Sequence, residues 1–246
     1  MKPRTKLPNL CIEIIADYEG MSRTACALIV SALKKKPDLL LCASAGGTPT
    51  RMYELLVKRS IQNPRLCRRM RILQIDEWGG IPSTHPASCR SDLRNKLVEP
   101  LGIGKMNFIS FSSDDPDPEA EVGRVSGWLA NHGPIDLCIL GLGTNGHIAM
   151  NEPAAALIPG AHVTKLARSS LRHSMLQTLK PKPRYGLTIG MADILCSRQA
   201  LMLVSGEAKK TAMARLLERN VSTAFPASLL WLHPNALILC DRKAIA

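Results

Sequence analysis

Along the chain, short apolar runs alternate with longer stretches in which apolar positions recur every three or four residues. Residues 38–42, 72–75, 107–110, 135–140, 201–204 and 236–240 form the short runs. Near-continuous apolar segments of this length mark strands covered on both faces. Residues 22–36, 49–61, 88–98, 118–131 and 207–218 carry the helical spacing, each with one apolar stripe. Strand, helix, strand repeated in this way predicts an α/β fold: a mostly parallel twisted sheet with helices on both faces, a Rossmann-like three-layer sandwich. Ligands in such sheets sit outside the carboxyl ends of the strands. The loops after 38–42, 72–75, 135–140 and 201–204 are therefore expected to carry the chemistry and to converge. The stretch Ser112-Ser-Asp-Asp-Pro-Asp-Pro118 reads as an acidic surface loop ending in a helix start.

The loop after 135–140 is the most informative, running Gly141-Leu-Gly-Thr-Asn-Gly-His-Ile-Ala-Met-Asn-Glu-Pro153. Gly141, Gly143 and Gly146 have the spacing of a dinucleotide fingerprint. That fingerprint needs an acidic residue roughly 20 positions on to hold the ribose, yet after Glu152 the next acid is Asp193. Pro153 and Pro159 also oppose a long helix directly after the glycines. The turn is therefore expected to present side chains. His147 leads them, because a neutral imidazole takes or gives a proton near neutral pH; a structural histidine is the alternative. Glu152 is the carboxylate that would hold the far ring nitrogen and support the positive form. No G-x-S-x-G elbow is present, so no acyl-transfer triad is inferred.

Three further loops matter. Ser44-Ala-Gly-Gly-Thr-Pro-Thr50 joins a strand to a helix expected to begin at Pro49. Helix-start amides freed by Gly46 and Gly47, flanked by Ser44, Thr48 and Thr50, form an anion site; a plain tight turn is the alternative. Asp76-Glu77-Trp78-Gly79-Gly80 puts two carboxylates at a strand end, costly to bury unless paired or used. Asp76 is the candidate base, with a capping or salt-bridge role as the alternative. In Ser205-Gly-Glu-Ala-Lys-Lys210, Lys209 or Lys210 supplies a cation for phosphate.

With 246 residues and 46% apolar composition, the chain can bury a full core and reads as a single domain over 1–246. A net charge of +12 favours an anionic partner. Aromatics at 4% are too few for base-stacking platforms and no recognition-helix pattern occurs, so no nucleic-acid partner is expected. No run approaches the roughly 18 apolar residues of a membrane span, and Met1-Lys-Pro-Arg-Thr-Lys6 leads into no cleavable apolar core. The eight cysteines contain no C-x-x-C pair, which argues against a metal site and for reduced thiols in a cytoplasmic protein. Homo-oligomerisation is left open.

At these loops the chain resembles the glucosamine-6-phosphate deaminase and galactosamine-6-phosphate isomerase family, whose wider relatives include 6-phosphogluconolactonases. Gly46-Gly-Thr-Pro49 is similar to its phosphate loop, Ile75-Asp-Glu-Trp-Gly-Gly-Ile-Pro82 with His85-Pro86 to its base segment, and Gly146-His-Ile-Ala-Met-Asn-Glu-Pro153 to its ring-opening motif. Arg184-Tyr-Gly-Leu-Thr-Ile-Gly190, Gly206-Glu-Ala-Lys209 and Ala224-Phe-Pro-Ala-Ser-Leu-Leu-Trp-Leu-His-Pro234 also agree. The resemblance implies an amino-sugar 6-phosphate that is opened, isomerised to a ketose and stripped of ammonia, with no cofactor. It implies that His147 moves the ring-opening proton, Asp76 carries a proton between C2 and C1, and Glu152 supports His147. Phosphate would rest on the Gly46, Gly47 and Thr48 amides, with Lys209 as its cation.

Two departures accompany the resemblance. Asn145 stands where many glucosamine-type enzymes have Asp, and Leu176 falls at the place of a phosphate-binding lid arginine, for which Arg168 or Arg172 would substitute. His162 and Thr164 replace basic residues of an allosteric site, so no such regulation is expected. The Asn-Gly-His form and the segment 221–233 look closer to the galactosamine-6-phosphate branch. The alternatives are a glucosamine-6-phosphate deaminase giving fructose 6-phosphate, a sugar-phosphate sensor without turnover, and a lactonase or pentose-phosphate isomerase; a different continuation after the histidine argues against a lactonase.

Overall fold

The computed structural model describes residues 10–245; the opening Met1 to Lys6, read above for a leader, lies outside them. Seven strands form one sheet: β1 (Leu10–Ile15), β2 (Leu40–Ala43), β3 (Arg71–Gln74), β5 (Phe108–Ile109), β6 (Leu137–Gly141), β9 (Ala200–Val204) and β10 (Ala236–Asp241). Their order is β1-β10-β9-β6-β2-β3-β5, and every pairing is parallel. The helices are α1 (Tyr18–Lys35), α2 (Gly47–Gln62), α3 (Cys89–Leu93), α4 (Pro118–His132), α5 (Met191–Leu195) and α6 (Lys210–Leu217).

Side chains alternate across the sheet, as the two-residue period of a strand demands. On β6, Leu137 and Ile139 join the core under α1 and α2, with Met21, Ile29, Met52 and Leu56. Cys138 and Leu140 point the other way, into a core with Val125 of α4, Ile194 of α5 and Met213 of α6. Helices thus cover both faces, and the expected three-layer α/β architecture is what forms. Local chemistry sets the helix starts: Asp17 accepts from Gly20 N at 2.7 Å before α1, and Asp117 accepts from Ala120 N at 3.0 Å with Pro118 in the first turn of α4.

Several boundaries differ from the sequence reading. β1, an edge strand, was not expected. The helix expected at Pro49 begins at Gly47. The helix expected over 88–98 ends as α3 at Leu93 and continues as a wider π turn, Arg94–Val98. No helix follows the glycine turn of 141–153, as the two prolines require. A second sheet is new: β4 (Asp76–Gly79), β7 (His162–Thr164) and β8 (Tyr185–Thr188) pair antiparallel in the order β4-β8-β7. Asp76 opens β4 rather than ending β3.

Candidate active site

β9, β6, β2 and β3 are consecutive in the sheet, so the four loops singled out in the sequence leave adjacent strand ends. After β2 the chain fills one side through β3 and β5, then returns to β2's other side as β6; the crevice opens at this reversal, where sheets of this kind bind ligands. A cleft of about 390 Å³ lies there, and Ser44, Gly46, Gly47, Thr48, Asp76, His147, Arg172 and Lys209 all line it. Asn145 and Glu152 stand behind His147, outside the lining. Arg168 does not border the cleft, and Leu176 is buried in an apolar cluster with Trp78 and Ile81.

The glycine turn delivers His147. A Cβ on Gly143 would come within 2.5 Å of the imidazole ring, so only glycine lets the ring fold back over the turn. Ala149, two residues on, has φ of 53°, a left-handed backbone held in strain beside the cleft. The Ala227 amide donates to Gly146 O at 2.9 Å, which ties the turn to the closing 224–234 segment.

Behind the ring, His147 Nδ1 stands 3.5 Å from Glu152 Oε2. Asn145 Nδ2 donates to that oxygen at 2.9 Å, and Asn145 Oδ1 accepts from the His147 amide at 3.2 Å. The Ser170 hydroxyl donates to Glu152 Oε1 and lies 3.4 Å from His147 Nδ1; the Ala167 amide donates to the same carboxylate oxygen at 3.2 Å. Burial alone would raise the Glu152 pKa, but the bonds from His147, Ser170 and Asn145 outweigh it and hold the group at about 2. Glu152 is therefore a fixed negative charge on one ring nitrogen. The Asn145 amide braces the carboxylate and the backbone, and Glu152 is the charge that faces the imidazole. Ser170 had no motif to reveal it; only the return of 162–172 over the cleft brings it in.

Asp76 has the opposite environment. Burial and the neighbouring Glu77 push its pKa up to about 7, with Cys89 opposing. Glu77 points away from the cleft and is fully buried. Its carboxylate accepts from Trp78 N at 2.7 Å, Cys89 N and Arg90 N at 2.8 Å each, and Gln74 Nε2 at 2.9 Å. The sequence pair Asp-Glu thus divides into a cleft-facing carboxyl poised near neutrality and a buried one that locks β4 to the start of α3.

In the glycine loop after β2, Gly46 turns with φ of 97°, which glycine adopts freely. Its amide does not remain free for phosphate, as the sequence reading had it: Gly46 N donates to Asp92 Oδ2 at 3.0 Å. The Gly47 and Thr48 amides, first in α2, have no intrahelical acceptor. Lys209 is half-buried at the cleft, and burial lowers its pKa; Lys210 is exposed outside it.

The family model for glucosamine-6-phosphate isomerases/6-phosphogluconolactonase matches residues 18–239. The chain belongs to this family. It is 37% identical to "Putative deaminase AgaI" of Escherichia coli (strain K12), over 95% of this chain and 93% of that protein. It is 36% identical to the glucosamine-6-phosphate deaminase of Geobacillus sp. (strain WCH70), over 94% and 93%. Among solved structures it resembles a monomeric glucosamine-6-phosphate deaminase described as a missing link of the NagB superfamily, with 29% identity, a TM-score of 0.89, and coverage of 95% and 98%. The family resemblance and the enzyme class read from the motifs are borne out.

Proposed function

We propose that the chain deaminates and isomerises an amino-sugar 6-phosphate, with galactosamine 6-phosphate as its preferred substrate and tagatose 6-phosphate and ammonia as products. The observation that carries this reading is the meeting of Asp76, His147 and the Gly47–Thr48 amides in one cleft. Gly47, Thr48, Lys209 and Arg172 hold the phosphate; the remote anchor fixes the reacting carbons. His147, backed by the Glu152 charge, passes a proton between the anomeric hydroxyl and the ring oxygen, which opens the sugar. Asp76 takes the proton from C2 to give an enolamine and returns it to C1. Water then adds at C2 of the resulting iminium, ammonia leaves, and a ketose phosphate remains. No step calls on a cofactor.

The galactosamine preference rests on the Asn145-Gly-His147 form and the 221–233 segment. Glucosamine 6-phosphate is the second reading, favoured by the names of the relatives that act on it. A reducing cytoplasmic setting is supported by eight unpaired cysteines; among the described residues no helix is long and apolar enough to cross a membrane. Ammonia release from both amino-sugar phosphates tests the reading. Faster release from the galactosamine epimer is expected, and His147→Ala is expected to abolish it while inorganic phosphate still binds. Binding without any ammonia release from either sugar would turn the assignment into that of a sensor.

A further inference from the structure

One side chain at the cleft belongs to no motif. His173 sits between two short 3₁₀ turns, Ser170–Arg172 and Ser174–Leu176, and lines the cleft beside Arg172. The Met175 amide donates to its Nδ1 at 3.3 Å. A ring nitrogen that accepts carries no proton, so the neutral imidazole has its N–H on Nε2. That edge faces the phosphate loop: a Cβ built on Gly46 would lie 3.7 Å from Cε1 and 3.8 Å from Nε2 of His173. Among the described residues, Nε2 has no hydrogen-bond partner. Trp78 supports the ring from the side, with centroids 5.8 Å apart.

The charges around the ring agree with a neutral donor. Crowding by protein, then the neighbouring Lys209 and His147, lower its pKa, and Asp92 alone opposes them. Asp92 is itself engaged by Lys96 at 2.5 Å and by the Gly46 amide. The same contact removes Gly46 N from the set of phosphate donors. A donor above the loop therefore stands where one loop amide has been withdrawn.

We propose that His173 is a phosphate-binding residue, giving its Nε2–H to a phosphoryl oxygen held on the Gly47 and Thr48 amides. The inference deepens the reading above and rests on it for the sugar attached to that phosphate, but not for the phosphate contact itself. The ligand class is a terminal phosphate monoester, with inorganic phosphate as its simplest probe. His173 is thereby a specificity residue for the phosphorylated sugar over the free one.

Calorimetric titration of the full chain with inorganic phosphate tests this directly. A hydrogen bond to a charged group is worth about tenfold or more in affinity, so His173→Ala is expected to raise the phosphate Kd about tenfold. His173→Gln places an amide N–H near the Nε2 position and is expected to keep Kd within about threefold of the parent. In the unsubstituted protein, phosphate is expected to move the ¹⁵N resonance of His173 Nε2, a readout independent of any folding defect in the variants. An unchanged Kd in the alanine variant, no rescue by glutamine, or a stationary Nε2 resonance would overturn the proposal. These outcomes are separable from failure of the functional reading: a protein that releases no ammonia yet loses phosphate on His173→Ala keeps the site and loses the activity.

Discussion

Two carboxyl groups, Asp76 at the start of β4 and Glu152 in the loop after β6, are driven in opposite directions by their neighbours, and the proposed roles rest on that difference. Glu152, gripped by Ser170, Asn145 and His147, stays ionised down to about pH 2. Asp76, enclosed next to Glu77, takes its proton at about 7. A base must be ionised to act, so kcat/KM is expected to fall about tenfold per pH unit below about 7; an acid limb near 4 would contradict the role. The same shift has a sign in stability. Because the folded-state pKa lies above the unfolded one, ionised Asp76 weakens the fold as pH rises from about 4 through about 7. Asp76→Asn is therefore expected to stabilise the protein at pH 8 by on the order of 2 kcal/mol, with little gain at pH 4, while activity drops about a thousandfold. Urea titrations at the two pH values, with ammonia assays alongside, check both halves. His147 and Asp76 were legible in the sequence because acid–base residues beside strand-end glycines are a local signal. Ser170 and the withdrawal of the Gly46 amide were not, since both depend on contacts with residues 18 and 46 positions away.

Among the elements, β4 and α3 show how a buried charge organises a site. The carboxylate of Glu77 satisfies two amides at the start of α3, one on its own strand and one side-chain amide. Removing it as Glu77→Ala strips four donors of their acceptor, and a loss of about 3 kcal/mol in unfolding free energy is expected; a loss under about 0.5 kcal/mol would show that the bonds are idle. Such a role lies below what periodicity reports: the strand is four residues long, and its sequence Asp-Glu-Trp-Gly alternates without an apolar run. β7 and β8 are hidden because His-Val-Thr and Tyr-Gly-Leu-Thr likewise carry no apolar run. Apart from the edge strand β1, the strands of the main sheet and its amphipathic helices were readable because burial leaves an apolar imprint on the sequence. The π turn after α3 and the start of α2 at Gly47 escape such reasoning, since both are settled by packing rather than composition. Ser170→Ala tests the second support, the one behind His147. A fall of about tenfold in kcat with an unchanged Kd for inorganic phosphate is expected, because one hydrogen bond to a charged group is lost away from the anion loop; equal losses in both would contradict the division of labour.

For the molecule as a whole, the net charge of +12 found in the sequence becomes meaningful once Lys209 and Arg172 are placed at a single cleft beside the helix-start amides of α2. The parallel sheet brings four distant segments to the carboxyl ends of adjacent strands, and the small antiparallel sheet holds one of them, through Asp76, at the cleft. The fold could be inferred from alternating runs; the cleft's volume and lining could not, because they arise from the relative placement of loops. The substrate's phosphate is expected to supply much of the binding energy used at the reacting carbons, so unphosphorylated amino sugars should lose about a thousandfold or more in kcat/KM. The most direct test is a crystal structure with an open-chain amino-hexitol 6-phosphate. The expected result places phosphate on the Gly47 and Thr48 amides, Asp76 within about 3.5 Å of C1 or C2, and His147 beside the oxygen that closes the ring. A phosphate bound elsewhere, or a hexitol that touches only one of Asp76 and His147, would contradict the account.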